Sequence, residues 1–187
     1  MASLKHLGIE ELQAGLDRIR QSPKDRGEVL MIVRRPATNE REAISSGELD
    51  TSEGLVGDNW LQRGNSRTPD GAADPEMQLN IMNSRVIDLV ATTKDRWPLA
   101  GDQIYVDLDL SKENLPAGTQ LQLGTAIIEV SAAPHTGCKK FVARFGLEAM
   151  KFVNSGPGKK MCLRGINAKV VRSGTFSVGD LLCKMAT

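Results

Sequence analysis

The chain has 187 residues, of which 40% are hydrophobic and 25% charged, and its 24 basic and 23 acidic residues leave a formal net charge of +1. This length suits one domain with extensions, and the composition excludes disordered and fibrous proteins. A chain so close to neutrality has no strong field to attract a polyanion, so nucleic acid is not an expected partner.

The first predicted element is an N-terminal helix over residues 8–21. Its apolar residues recur three or four apart, the spacing of one helical face: Ile9, Leu12, Leu16 and Ile19. An apolar run at residues 27–33, rich in β-branched side chains, then predicts a buried strand. We therefore divide the chain into a helical extension, residues 1–27, and a barrel domain, residues 28–187.

The middle of the chain predicts a long loop followed by a strand and a short helix. Residues 61–76 are too dense in Gly, Pro, Asp, Asn and Ser for a regular element, and loops of that length are often functional. Residues 77–82 alternate like a strand. Asn83 or Ser84 can then cap a helix that carries Val86 and Val90.

The second half of the chain predicts a mostly β fold. Short strands separated by Gly or Pro turns are expected at residues 103–108, 120–123, 125–131, 168–173 and 181–184. Their close spacing favours an all-β barrel or sandwich over parallel βαβ units. One helical interruption is predicted at residues 139–153, immediately after Cys138.

Cysteine usage and hydropathy predict a cytoplasmic location. The three cysteines, Cys138, Cys162 and Cys183, are an odd number at wide spacings, unlike the dense pattern of small secreted domains. The sequence shows neither a signal peptide nor a stretch of about 20 apolar residues. We expect reduced thiols and no membrane insertion.

Cys138 is the strongest candidate for chemistry. It lies between a predicted strand and a predicted helix, beside Lys139 and Lys140. A helix N-terminus and neighbouring positive charges both favour the thiolate form of a cysteine, which acts as a nucleophile, a persulfide carrier or a soft metal ligand. The alternative is a small buried apolar residue.

The remaining candidates are weaker. Cys162 and Cys183 lie in apolar strand contexts, which favour a core position. His135 and Cys138 are half of a zinc pattern that has no second pair. Basic residues at loops and element ends are candidates for holding a phosphate: Arg63, Arg67, Lys139, Lys140, Lys159, Lys160 and Arg164. No nucleotide-binding motif or serine-hydrolase elbow is present.

Four blocks of this sequence, in order, resemble the MOSC family, named for the C-terminal domain of molybdenum cofactor sulfurase. The blocks are residues 54–60 (GLVGDNW), residues 77–91, residues 111–115 leading into 123–126, and the Cys138 turn with residues 163–168 and 174–180. Together they span roughly residues 28–184. The resemblance implies a compact MOSC-type β-barrel with a few short peripheral helices and an N-terminal helix.

The resemblance also implies roles for single residues. The cysteine of the family is proposed to carry sulfur or to ligate molybdenum in a pterin cofactor, and here it corresponds to Cys138. Asn114 and Arg164 match further family positions and are expected to contact cofactor or substrate. The family commonly has an arginine and a proline before the cysteine, where this chain has residues 135–137 (HTG). Lys139 or His135 is therefore expected to replace the missing anion contact.

Two functional hypotheses follow from the resemblance. In the first, the protein is a molybdenum-cofactor oxidoreductase that reduces N-hydroxylated or N-oxide compounds, with Cys138 on the metal and an external electron donor. In the second, it is a sulfur carrier that passes a Cys138 persulfide to a metal cofactor. The pyridoxal-phosphate domain of the sulfurase has no counterpart here, so a cysteine desulfurase would load the persulfide. A barrel that binds a small anion without reaction is a third interpretation.

Overall fold

The structure, a computed structural model, describes residues 6–185, which contain strand and helix in about equal amounts. The strands are β1 (Arg26–Arg34), β2 (Glu42–Ile44), β3 (Ser46–Asp50), β4 (Gly54–Leu55), β5 (Leu79–Asn83), β6 (Ile104–Val106), β7 (Gln120–Leu123), β8 (Ala126–Val130), β9 (Ile166–Arg172), β10 (Gly174–Ser177) and β11 (Leu181–Lys184). The helices are α1 (Ile9–Ala14), α2 (Leu16–Arg20), α3 (Trp60–Arg63), α4 (Ser84–Ala91), α5 (Lys139–Phe145), α6 (Leu147–Asn154) and α7 (Gly156–Lys160). Two 3-10 turns lie at Pro75–Met77 and Lys94–Ala100.

Seven strands close into a barrel, which confirms the expected β-barrel with peripheral helices. Neighbours follow the order β11, β7, β8, β9, β5, β6 and β1, and β1 pairs back with β11. All of these pairs are antiparallel except β5 with β6. Strand β2 extends β1 as a hairpin, and β10, β3 and β4 form a small separate sheet. Closure leaves the barrel strands without an open sheet edge.

Alternating side chains fill the barrel interior. On β7 and β8 every second residue is buried, as Leu121, Leu123, Ile128 and Val130 show. This alternation is the period of a strand with one face towards a core. Full burial of one such aliphatic side chain contributes about 1.5–3 kcal/mol, so the interior is a main source of stability.

A second apolar cluster covers one outer face of the barrel. Met82 and Tyr105 point outward from β5 and β6 and contact a layer that includes Leu12 of α1, Phe141 of α5 and Phe152 of α6. The helices therefore screen this face from water, and they place the start of α5 at the barrel's rim.

Both predicted long helices are divided. The N-terminal helix breaks at Gly15, and the helix after Cys138 breaks at Gly146, whose φ of 89° no ordinary helical residue adopts. Strand β6 keeps three of the six predicted residues, whereas β11 has the predicted bounds. The sequence did not predict β2, β3, β4 and β10. Each of these strands has at most five residues, which is too few for a clear apolar period.

The predicted division at residue 27 stays a prediction. Strand β1 begins at Arg26, directly after the two N-terminal helices. Of the predicted extension, residues 1–5 lie outside the described residues, as do residues 186 and 187 of the predicted barrel domain. Across residues 6–185, none of the helices has the length and apolar content that a bilayer crossing requires.

Candidate functional site

A cleft of about 510 Å³ opens on the outer face of the barrel. Its walls come from the residue after β1, the end of α3 with the loop that follows it, the outer face of β5 and the turn before α5. Arg35, Arg63, Asn80 and Cys138 represent these four parts. The long loop predicted at residues 61–76 thus forms one side of this cleft.

Cys138 lies exposed on the wall of the cleft. It is the N-cap residue of α5, with an extended backbone, and its side chain makes no capping hydrogen bond. The interpretation of Cys138 as a small buried apolar residue is therefore wrong. Its sulfur is accessible both to a ligand in the cleft and to a protein partner.

The other two cysteines are half-buried and lie elsewhere. Cys183 is on β11, as predicted. The expectation of a strand at Cys162 is wrong, because it lies in the turn after α7 with a left-handed φ of 49°. Burial raises the pKa of the Cys162 thiol, an effect that the nearby Lys112 opposes.

Arg35 forms the floor of the cleft. Its guanidinium, 5% exposed, donates from Nε and Nη2 to the two carboxylate oxygens of Asp58, both at 2.8 Å. Its Nη1 donates to Asn80 Oδ1 and to the carbonyl of Gly101. Asn80 in turn donates to Asn167 Oδ1 on the facing strand β9. Four of the five N–H groups of Arg35 are thus hydrogen-bonded, so the guanidinium is rigidly fixed in its ion pair with Asp58.

A second buried ion pair lies beside the first. Asp102, fully buried, accepts hydrogen bonds from Arg164 at 2.7 and 2.9 Å and contacts His135 Nε2 at 2.8 Å. Burial alone would raise the pKa of Asp102, but Arg164 and His135 outweigh it and lower the pKa to about 2. An ionised carboxylate only accepts, so Nε2 of His135 carries a proton and donates it.

The imidazole ring of His135 is uncharged at neutral pH. Burial and then Arg164 lower the pKa of His135, against the opposing effect of Asp102. With the proton on Nε2, Nδ1 has a free lone pair and acts as an acceptor. His135 and Arg164 both line the cleft.

Five further cations line the cleft without a salt bridge to any residue between 6 and 185: Arg41, Arg63, Arg67, Lys140 and Arg144. Burial, followed by repulsion from Arg144 and Arg35, lowers the pKa of Arg41. Burial and Arg35 likewise lower the pKa of Arg63. The Nε of Arg41 is buried and lacks a hydrogen-bond partner in the described part of the chain. Asp74 is the carboxylate on the wall, and its side chain caps the turn at Pro75–Met77.

Sequence reasoning found part of this cluster. Arg63, Arg67, Lys140, Arg164 and Cys138 were candidates and line the same cleft. Arg35, Arg41 and Arg144 were missed, although a charged residue directly after an apolar strand was a signal for Arg35.

Four residues that were predicted for the site do not line the cleft: Asn114, Lys139, Lys159 and Lys160. Asn114 is buried, and its side-chain amide donates to the carbonyls of Lys24 and Asp109, so that it organises a turn. Lys139 is exposed on the first turn of α5 and, of the adjacent lysines, only Lys140 reaches the wall.

Residues 132–137, which we call the wall segment, are anchored at three points. Asn167 Nδ2 donates to the carbonyl of Ala133 at 3.0 Å. His135 is held by Asp102. Asn154 accepts from the Gly137 N–H at 2.9 Å and donates to its carbonyl at 3.1 Å. These contacts fix the position of Cys138 relative to the arginines.

Comparison with solved structures finds the same fold. The YUAD protein from Bacillus subtilis superposes with a TM-score of 0.63 at 14% identity, covering 84% of this chain and 94% of that one. YiiM from Escherichia coli superposes with a TM-score of 0.55 at 17% identity, and the match covers 86% of this chain and 70% of YiiM. YiiM from Geobacillus stearothermophilus gives 0.52 at 13% identity, covering 86% and 73%. No family model and no curated protein sequence matches the chain. The closed seven-stranded barrel and these likenesses give the chain a MOSC-like fold.

The donor set of the cleft fits a phosphate-bearing ligand with a soft metal. Unpaired guanidiniums match phosphate oxygens, and a thiolate is a soft ligand. Within the described residues, no three His, Cys, Asp or Glu side chains gather into a group that could hold a metal ion alone. A metal at Cys138 would therefore have to arrive within a larger ligand.

Proposed function

We propose that this protein binds a molybdenum–pterin cofactor in the cleft, with Cys138 as a thiolate ligand of the metal. The observation that carries the proposal is the placement of an exposed cysteine and five unpaired cations on the walls of one cleft. The phosphate of the cofactor would lie among Arg41, Arg63 and Arg144. The negative charge of the phosphate would offset the mutual repulsion of these three cations, which makes binding more favourable.

The side chains of this protein bind and orient, whereas the cofactor supplies the redox chemistry. When bound, the cofactor would supply the two-electron reduction of N-hydroxylated or N-oxide compounds, with the electrons coming from an external donor. Asp58 and Asp102 fix Arg35 and Arg164 in place, and each of these ion pairs is neutral overall. The net positive charge of the site therefore comes from the five unpaired cations. His135 offers Nδ1 as a hydrogen-bond acceptor for a donor group of the ligand.

One observation favours the sulfur carrier as the second candidate function. The Cys138 sulfur is exposed at the rim, where a cysteine desulfurase can reach it. A persulfide on Cys138 would then be transferred by thiol exchange to an acceptor in the cleft. This function needs the same cysteine but no resident molybdenum.

Metal and pterin analysis separates the two functions. We expect protein from a cofactor-producing host to contain molybdenum and pterin in near-equal amounts, and Cys138→Ala to lose most of the metal. Cys183→Ala, which changes a cysteine far from the cleft, is the matched control and should keep the wild-type content. Arg41→Ala with Arg63→Ala should lower the pterin content about tenfold, because two phosphate contacts are removed.

Two results would count against cofactor binding. Cyanide-labile sulfur on Cys138 without molybdenum would favour the carrier. Protein that holds no molybdenum, pterin or labile sulfur would contradict both functions.

A further inference from the structure

A second cavity of about 570 Å³ adjoins the cleft and shares His135, Thr136 and Arg164 with the lining of the cleft. Its walls are formed by the end of β8, the start of β9, the loop at residues 112–117 and α7. Most of the lining is aliphatic, including Leu115, Val130, Val153 and Ile166. A volume between about 300 and 1,000 Å³ with few polar groups is typical of a small-molecule site.

The charged side chains that line the second cavity are all basic. Among the described residues, its lining includes Lys112 and Lys159 but no Asp or Glu. Neither lysine makes a salt bridge within residues 6–185. The backbone N–H of Lys112 donates to the carbonyl of Lys160 at 3.0 Å, which ties the loop to the helix that carries Lys159. Two lysines without a salt bridge therefore border an apolar chamber, whose third cation, Arg164, is paired with Asp102.

We propose that the second cavity binds a small organic monocarboxylate, whose apolar body fills the chamber and whose carboxylate pairs with Lys112 and Lys159. An aliphatic chain matches the lining, and the carboxylate matches the two lysines. The proposal does not depend on cofactor binding in the cleft, since Cys138 does not line this chamber. The two sites share the wall segment, with His135 and Arg164 lining both.

Cys162 provides a reporter at the proposed site. It lines the second cavity, whereas Cys138 lines the cleft and Cys183 lies on β11. A ligand in the chamber should therefore slow alkylation of Cys162 and leave the other two thiols unchanged. The experiment treats the intact protein with iodoacetamide near pH 8.5 and follows each cysteine by mass spectrometry, with decanoate as the probe.

The matched controls vary the charge of the probe and of the site. We expect decanoate to slow Cys162 alkylation at least fivefold, and decyltrimethylammonium, with the same chain, to have little effect. In Lys112→Glu with Lys159→Glu, two exposed positions that leave the core intact, decanoate should bind about tenfold more weakly. Equal protection by both probes, no protection by decanoate, or equal protection of Cys138 would overturn the proposal.

Discussion

At the residue scale, the three cysteines differ in what surrounds them. Cys138 is exposed beside the unpaired cations, whereas Cys162 and Cys183 are half-buried in contact with aliphatic side chains or strand neighbours. The sequence distinguished Cys138 because a turn, a cysteine and two lysines stood together. The prediction that Cys162 lies on a strand was wrong, because the apolar residues around it belong to a turn that packs on the barrel.

The buried pair of His135 and Asp102 makes stability pH-dependent. The pKa of His135 in the folded protein is lowered below its ordinary 6.5. As the pH drops through 6.5, this histidine is therefore protonated in the unfolded chain before it is protonated in the folded chain, and the free energy of unfolding falls. Since the pKa of Asp102 is about 2, its ionised form stabilises the fold by about 2 kcal/mol above pH 4 and loses this contribution towards pH 2.

Urea unfolding at pH 7.5 and 5.5 tests the histidine part. His135→Gln keeps a hydrogen-bond donor for Asp102 but cannot titrate, so we expect a smaller loss of unfolding free energy between the two pH values than in the wild type. His6→Gln, the change of the other histidine, should keep the wild-type loss. An unchanged loss in His135→Gln would show that this ring does not carry the effect.

At the element scale, the wall segment contributes to the lining of both the cleft and the second cavity. Asn154 of α6 holds it through both the N–H and the carbonyl of Gly137. The sequence predicted that Cys138 lies between a strand and a helix. It did not predict the anchors, because Asn167 lies 34 residues from Ala133, and Asn154 lies 17 from Gly137.

Asn154→Ala should loosen the wall segment. We expect the loss of two hydrogen bonds to cost about 1–3 kcal/mol in unfolding free energy and to speed amide hydrogen exchange in residues 133–138. Asn114→Ala is the matched control, because its side-chain amide likewise makes two hydrogen bonds to the backbone, at a different turn. We expect Asn114→Ala to lower the unfolding free energy by a similar amount without speeding amide hydrogen exchange in the wall segment. Equal exchange in both variants would contradict the anchoring role.

At the scale of the whole molecule, the barrel brings together residues that are far apart in sequence. The cations of the cleft follow β1, lie at the end of α3 or in the loop after it, belong to α5 or, in the case of Arg164, precede β9. Strands with strong alternation, such as β7 and β8, and the capped helix α4 were predictable from local pattern. The cleft was predictable only in part, because barrel closure between β1 and β11 decides which loops become neighbours.

The most direct test of the central claim is X-ray absorption at the molybdenum edge on protein loaded with cofactor. If Cys138 ligates the metal, the wild type and Cys183→Ser should show one more sulfur ligand per molybdenum than Cys138→Ser. The same number of sulfur ligands in all three proteins, or wild-type protein that takes up no molybdenum, would contradict the account.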